Sequence, residues 1–145
     1  VMQHDTPVEV SPSMPIVLLI IVLLHNIEEA LTYGIYRERS QAIIQQFFGS
    51  DFTSPTVTSF HFALVLVSLA AALAMGWVLL LPARISALVI VRGFAWIMLL
   101  NVLIPHVPAA FMLGGYSPGL LTASVVNLPI TVYILVKTGT NRTYS

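Results

Sequence analysis

Four long runs of apolar residues, separated by short polar stretches, are the main pattern in this chain of 145 residues. Each run is long enough for the roughly 20 residues with which an α-helix crosses the hydrocarbon core of a membrane. The pattern predicts an all-α fold, an integral membrane four-helix bundle with spans near residues 15–36, 55–81, 86–106 and 118–137. We expect residues 15–137 to form a single transmembrane domain.

The polar stretches predict how the spans are flanked and joined. Residues 1–14 contain Asp5 and Glu9 but no Lys or Arg, unlike the basic front region of a cleaved signal peptide, so we expect a polar leader. Residues 138–145 predict a short polar tail. Near residues 40–48, isoleucine and phenylalanine are interspersed with glutamine, which is typical of a short interfacial amphipathic helix. We favour a connecting role for this helix over a lid above a buried site.

Composition agrees with a membrane protein, because 57% of the residues are hydrophobic and only 8% are charged. The formal net charge of zero gives no bulk attraction to nucleic acid, so the lipid bilayer is the predicted partner and nucleic acid is not. The chain contains no cysteine, which excludes disulfides and thiolate chemistry. Any metal ion must therefore be bound through nitrogen and oxygen.

The first span carries an unusual polar segment, the sequence His-Asn-Ile-Glu-Glu at residues 25–29. Spacings of three and four place His25, Glu28 and Glu29 on one face of a helix. An ionised glutamate near mid-membrane costs roughly 2.5–3.5 kcal/mol on translocon scales, so protonation, partner groups, a metal ion or a watery cavity must offset it. Two residues continue the same stripe, Thr32 and Tyr36.

Polar side chains in the other spans are predicted to converge on this segment. At about 1.5 Å per residue, the two glutamates and Asn101 fall about 20 Å from the terminal side of the membrane, His61 and His106 about 30 Å, and Asn127 about 15 Å. Asn101 and His106 are five residues apart and would lie on different faces of a regular helix. Pro105 breaks the regular hydrogen bonding, so a kink there could direct the imidazole inward.

Imidazole and carboxylate groups together suit zinc, iron or manganese. We predict that His25, Glu29, His106 and His61 are the metal ligands. Glu28 and Glu29 are the predicted catalytic residues, the glutamate that does not bind the metal serving as a general base. Four further residues would orient ligands or substrate: Asn101, Asn127, Thr32 and Tyr36. The alternative is an ordinary hydrogen-bonded cluster without a metal.

Three functions are compatible with these residues. The first is a membrane-embedded metal-dependent enzyme, with zinc or iron, that acts on a hydrophobic or lipid-like small molecule. The second is a non-catalytic small subunit of a larger membrane complex, which would hold haem or a chlorin through a histidine and have other membrane subunits as partners. The third is a proton or ion relay through Glu28 and Glu29, which ranks last because the inverted pair of broken helices found in many transporters is not evident.

Basic residues favour an orientation with the termini in the cytoplasm. Four of them lie on the terminal side: Arg84, Arg92, Lys137 and Arg142. The opposite side has two, Arg37 and Arg39. The first span alone argues the reverse, because its basic flank follows it.

The residues resemble the HXXEE-motif family of small bacterial integral membrane proteins, named for the pattern found here as His25-x-x-Glu28-Glu29. Asn101 with His106, the signature Tyr116-x-Pro118-Gly119-x-x-Thr122, and Pro129 are similar too, so the resemblance covers about residues 16–137. It implies a multi-pass protein of the bacterial inner membrane, in a family without an established general activity. The positions that match the family are His25, Glu28, Glu29, Asn101 and His106, and the resemblance assigns no reaction to them; His61 is added from this sequence alone.

Overall fold

The computed structural model describes residues 10–81 and 85–140, and within them the chain folds into helices. These are α1 (Ser13–Phe48), α2 (Val57–Leu80), α3 (Ile85–Asn101), a first π turn (Val102–His106), α4 (Val107–Leu113), α5 (Leu120–Thr122), a second π turn (Ala123–Asn127) and α6 (Leu128–Thr140). Four stretches are long and apolar enough to cross a membrane: Ser13–Phe48, Val57–Leu80, Ile85–Leu113 and Leu120–Gly139. The predicted all-α four-span architecture is confirmed.

Helix α1 is longer than the sequence predicts, because the helix near residues 40–48 is its continuation and not a separate element. No proline or glycine interrupts residues 35–48, and α1 ends only at Gly49, whose φ of 97° is readily adopted by glycine. At 1.5 Å per residue its 36 residues extend about 54 Å, well beyond a hydrocarbon core of about 30 Å. The following loop folds back along this extension, where Arg37 Nε donates to the Pro55 carbonyl at 2.8 Å.

The third span also continues past its predicted end at His106, to Leu113. Pro105 lies inside the first π turn, whose i→i+5 hydrogen bonds allow the chain to bend without ending the helix. The predicted loop from residue 107 is therefore helical until Gly114, which has a left-handed φ of 65°. The fourth span has a matching π turn, which ends two residues before Pro129, and the two π turns contact each other.

Packing divides the bundle into two halves. Near the chain ends, α1 and α2 meet α3 and α6 through an apolar core that includes Leu18, Ile21, Met75, Val91 and Ile134; we call this the apolar half. The other half, around His25 and His106, buries polar side chains, and we call it the polar half. Large apolar side chains cover the outside of the bundle, as expected for contact with lipid acyl chains.

The chain ends differ slightly from their predicted boundaries. Helix α1 begins at Ser13, and Val10 of the predicted leader is buried within the apolar core. Helix α6 continues to Thr140. Residues 1–9, the turn containing Arg84, and residues 141–145 of the predicted tail lie outside the described residues.

Candidate metal site

Three donor atoms converge in the polar half of the bundle: Nε2 of His25, Nε2 of His106 and a carboxylate oxygen of Glu29. The two nitrogens are 3.1 Å apart, and Glu29 Oε1 lies 3.7 Å from His25 Nε2 and 3.5 Å from His106 Nε2. Two nitrogens that share a tetrahedral zinc ion at about 2.0–2.1 Å are separated by about 3.3–3.4 Å. These three residues could therefore hold a metal ion with shifts of only tenths of an ångström.

The first π turn brings Asn101 and His106 to the same side of the third span. Residues five apart diverge on an α-helix but align across a π turn, so the predicted reorientation of the imidazole occurs without a helix break. The amide nitrogen of Asn101 lies 2.9 Å from His25 Nε2 and 3.2 Å from His106 Nε2. An amide nitrogen only donates hydrogen bonds, so these contacts favour histidine tautomers in which both Nε2 atoms present a lone pair.

Thr122, at the start of the fourth span, fixes the ring of His25 from its other side. Its hydroxyl donates to the Gly119 carbonyl at 3.3 Å and lies 2.9 Å from His25 Nδ1, from whose N–H it can accept a hydrogen bond. With the proton on Nδ1, the lone pair on Nε2 of His25 faces the other donor atoms. Hydrogen bonds of this kind orient metal ligands in many proteins.

Gly119 brings the backbone of the fourth span directly against the site. A Cβ atom at this position would lie 2.7 Å from Cε1 of both His25 and His106 and 2.8 Å from Cγ of Glu29, and its φ of 78° is left-handed. Only glycine meets both requirements without displacing the ligands. The resemblance draws attention to the Pro118-Gly119 pair, but its packing against both histidines is evident only in three dimensions.

Glu28 has a different environment from Glu29, although the two residues are adjacent. Its carboxylate accepts hydrogen bonds from the backbone N–H groups of Leu121 at 3.0 Å and Thr122 at 2.6 Å, and from the Tyr116 hydroxyl. It thus caps the first helical turn of the fourth span, where free N–H groups favour an anion. The sequence prediction gave both glutamates a catalytic role, whereas both oxygens of Glu28 accept hydrogen bonds from Tyr116 and the fourth span, and Glu28 is not part of the three-residue donor group.

Tyr116 and two predicted orienting residues lie on the Glu28 side of the site. Burial and the hydrogen bond to Glu28 raise the pKa of Tyr116 to about 12, so at neutral pH the phenol is a hydrogen-bond donor. Tyr36 contacts the Tyr116 ring at a centroid distance of 5.2 Å. Thr32 donates to the Glu28 carbonyl at 2.7 Å. Thr32 and Tyr36 therefore accompany Glu28, and neither belongs to the group of three donor residues.

His61 does not join the converging ligands, so its predicted placement is corrected. It lies in the second turn of α2, is exposed toward the lipid, and its Nε2 is 2.9 Å from the Ala30 carbonyl. The depth estimate put His61 about 10 Å beyond the two glutamates, whereas its Nε2 contacts the carbonyl of the residue after Glu29, and the estimate could not determine the direction in which its helix face points.

Asn127 is fully buried at the end of the second π turn. Among the described residues, neither polar atom of its side chain has a hydrogen-bond partner. The sequence prediction that it orients ligands therefore stays a prediction, because within residues 10–81 and 85–140 no hydrogen bond joins its side chain to the two histidines or to Glu29.

Comparisons with known proteins agree with the sequence motifs. A family model described as a protein of unknown function with HXXEE motif matches residues 16–134. The chain is 32% identical over 115 residues to the uncharacterized protein YrkK of Bacillus subtilis (strain 168), which covers 79% of this chain and 67% of the relative. No solved structure matches the chain. The chain therefore belongs to the HXXEE-motif family.

Proposed function

We propose that this protein is a membrane-embedded, metal-dependent enzyme that acts on a hydrophobic or lipid-like substrate. The observation that carries the proposal is the convergence of His25 Nε2, His106 Nε2 and Glu29 Oε1, with separations between 3.1 and 3.7 Å. Two imidazoles and one carboxylate are a ligand set found in catalytic zinc sites and in non-haem iron sites. Three protein ligands leave a tetrahedral ion one position for water or substrate.

The surrounding residues support chemistry at that open position. When bound, a divalent ion would polarise a substrate oxygen and stabilise developing negative charge. Glu29 is the most exposed of the three residues, with 16% of its side chain accessible against 2% for His25 and 5% for His106. It is therefore the ligand most accessible to a bound molecule. Glu28 holds the fourth span in place and so acts as a positioning residue.

The alternative of a haem-binding or chlorin-binding subunit fits the same contacts less well. The two Nε2 atoms are 3.1 Å apart, which leaves no space between them for a macrocycle. Gly119 packs against Cε1 of both rings and closes the site on the side of the fourth span. A flat cofactor could reach either histidine only after the helices had separated.

Elemental analysis of the purified protein tests the metal site. Chains purified in mild detergent and loaded with zinc or ferrous iron are expected to retain one ion each, and His25→Ala or His106→Ala is expected to lose it. The matched control is His61→Ala, which removes a histidine outside the site and should retain the ion. Failure of the parent protein to hold any stoichiometric metal would overturn the proposal.

Comparative lipid analysis tests for catalysis. Membranes from cells that express the parent protein or Glu29→Gln at equal levels would be extracted and profiled by mass spectrometry. An enzyme predicts a lipid-soluble compound whose abundance differs between the two, and the same difference with His106→Ala. If the profiles coincide although the parent binds metal, the protein is a non-catalytic metal-binding subunit and the proposed enzymatic function is wrong.

A further inference from the structure

A narrow cavity of about 200 Å³ connects the three-ligand site with the outside of the bundle, between α1, α2 and α3. His25, Glu29 and Asn101 line its inner part, and mainly apolar side chains line the remainder. Two of these, Val67 on α2 and Ile97 on α3, are 53% and 59% exposed and belong to the lipid-facing surface. We call this cavity the lateral cleft.

The position of the lateral cleft decides which molecules can reach Glu29. Its walls include Leu64, Phe94 and Met98, which offer no charge to a water-soluble metabolite. Its outer part lies among side chains that contact acyl chains when the bundle is in a bilayer. The apolar route favours a ligand that arrives by diffusion within the membrane, with its polar end directed inward.

The volume of the lateral cleft restricts the shape of the ligand. Pockets that enclose a drug-sized molecule measure about 300–1,000 Å³, whereas the lateral cleft measures about 200 Å³. It can therefore enclose only one end of a long molecule, and the remainder must stay between the helices and the lipid. A slender acyl chain can place its end in this volume, whereas the cavity is too small to enclose a rigid fused-ring body.

Asn26 indicates the polarity of the ligand's inner end. The Ser68 hydroxyl donates to the Leu64 carbonyl at 2.8 Å and accepts from the amide nitrogen of Asn26 at 2.8 Å. The same nitrogen lies 3.4 Å from the Leu64 carbonyl, which can only accept, so the amide orientation is fixed. The Asn26 oxygen accepts no hydrogen bond from the part of the chain that the structure describes, so it remains as an acceptor in a residue that lines the lateral cleft, as Glu29 does. Two acceptors favour a ligand with an O–H group.

We propose that the lateral cleft admits a straight-chain amphiphile with a hydroxyl-bearing end, taken directly from the bilayer. This inference rests on the proposed function for the reaction but not for the binding, because the cleft and its acceptors exist without a metal ion. The hydroxyl oxygen would lie at the inner end beside Glu29 and Asn101, and the chain would extend outward between Val67 and Ile97.

Photolabelling in vesicles tests the inference. The probe is a dodecanol derivative with a diazirine beside its hydroxyl end and an alkyne at its tail, incorporated with the protein into phosphatidylcholine vesicles. After irradiation, mass spectrometry should locate the label on segments 22–29 and 94–101, and excess dodecanol should reduce this labelling at least fivefold. Excess cholesterol should not reduce it.

Matched tryptophan variants separate the lateral cleft from the general lipid surface. Ile97→Trp fills the mouth and should lower labelling near Glu29 at least fivefold, whereas Val89→Trp, at a 61% exposed position of the same helix, should not. Even labelling of all lipid-facing segments, an equal effect of both variants, or competition by cholesterol would overturn the inference.

Metal content measured on the same samples distinguishes this inference from the proposed function. Metal binding without specific labelling refutes only the lateral cleft, and specific labelling without metal binding refutes only the metal-dependent function.

Discussion

The apolar half and the polar half of the bundle satisfy their buried polar groups in different ways. In the apolar half, the hydroxyls of Thr131 and Thr138 donate to carbonyls of their own helix, at 2.7 Å each. In the polar half, Asn26, His25 and Glu28 bond to side chains or backbone of other helices. The bonds of the apolar half form within one helix, whereas those of the polar half require correct helix placement. We therefore expect mutations in the two halves to separate stability from site geometry.

Gly119→Ala should have the largest effect, because it should lower the stability of the bundle and disturb the geometry of the metal site at once. The left-handed φ and the contacts of a new Cβ, as short as 2.7 Å, each cost about 1–3 kcal/mol, or about 2–6 kcal/mol together. We expect lost metal retention and a lower midpoint of thermal unfolding in detergent. Gly76→Ala, where a Cβ would meet no atom within 4 Å, is the control; it should retain the metal and should not lower the midpoint, since alanine is favoured over glycine inside a helix. Unaltered metal binding by Gly119→Ala would show that the site does not depend on this close approach.

Leu18→Ala should have the second-largest effect, and it should lower stability without changing the metal site. Leu18 is completely buried in the apolar half, and truncation of a buried leucine typically costs about 2–5 kcal/mol. The unfolding midpoint should fall, while the folded fraction retains the same number of metal ions per chain. The control is Leu31→Ala, at a 73% exposed position of the same helix, which should change the midpoint little. Loss of metal from folded Leu18→Ala would contradict the separation of the two halves.

Much of the fold could be predicted from the sequence because membrane spans depend on long apolar runs, which do not require tertiary information. The location of His25, Glu29 and His106 in the same half of the bundle could also be predicted, since helix rise converts residue number into approximate depth. The rotation of each helix about its own axis could not be predicted. His61 was therefore placed among the ligands, although its side chain lies on the exposed face of α2. The uninterrupted course of α1 was missed because its only signal is the absence of a helix-breaking residue between residues 35 and 48. The π turn at Pro105 was missed because a proline usually ends a helix.

The contrast between the adjacent glutamates gives the third prediction. Glu28→Gln replaces one acceptor with an amide that faces the N–H groups of Leu121 or Thr122, and an unsatisfied buried donor costs about 1–3 kcal/mol. We expect a lower unfolding midpoint with most of the metal retained. Glu29→Gln should show the opposite, a loss of metal with little change in midpoint. If both variants lose metal equally while remaining folded, Glu28 is itself a ligand and the assignment of separate roles is wrong.

The smallest expected effect concerns Thr122, whose hydroxyl links His25 to the backbone of the fourth span. Thr122→Val keeps the shape and the backbone N–H that Glu28 accepts, but removes the acceptor for His25 Nδ1. Loss of such an orienting hydrogen bond typically weakens metal affinity about 10–100-fold. Competition with a chelator measures this change. The control is Thr131→Val, which removes a hydroxyl whose hydrogen bonds to described residues stay within its own helix, and it should leave the affinity unchanged. Equal affinities for the two variants would mean that packing against Gly119, and not the hydrogen bond to Thr122, holds the His25 ring in place.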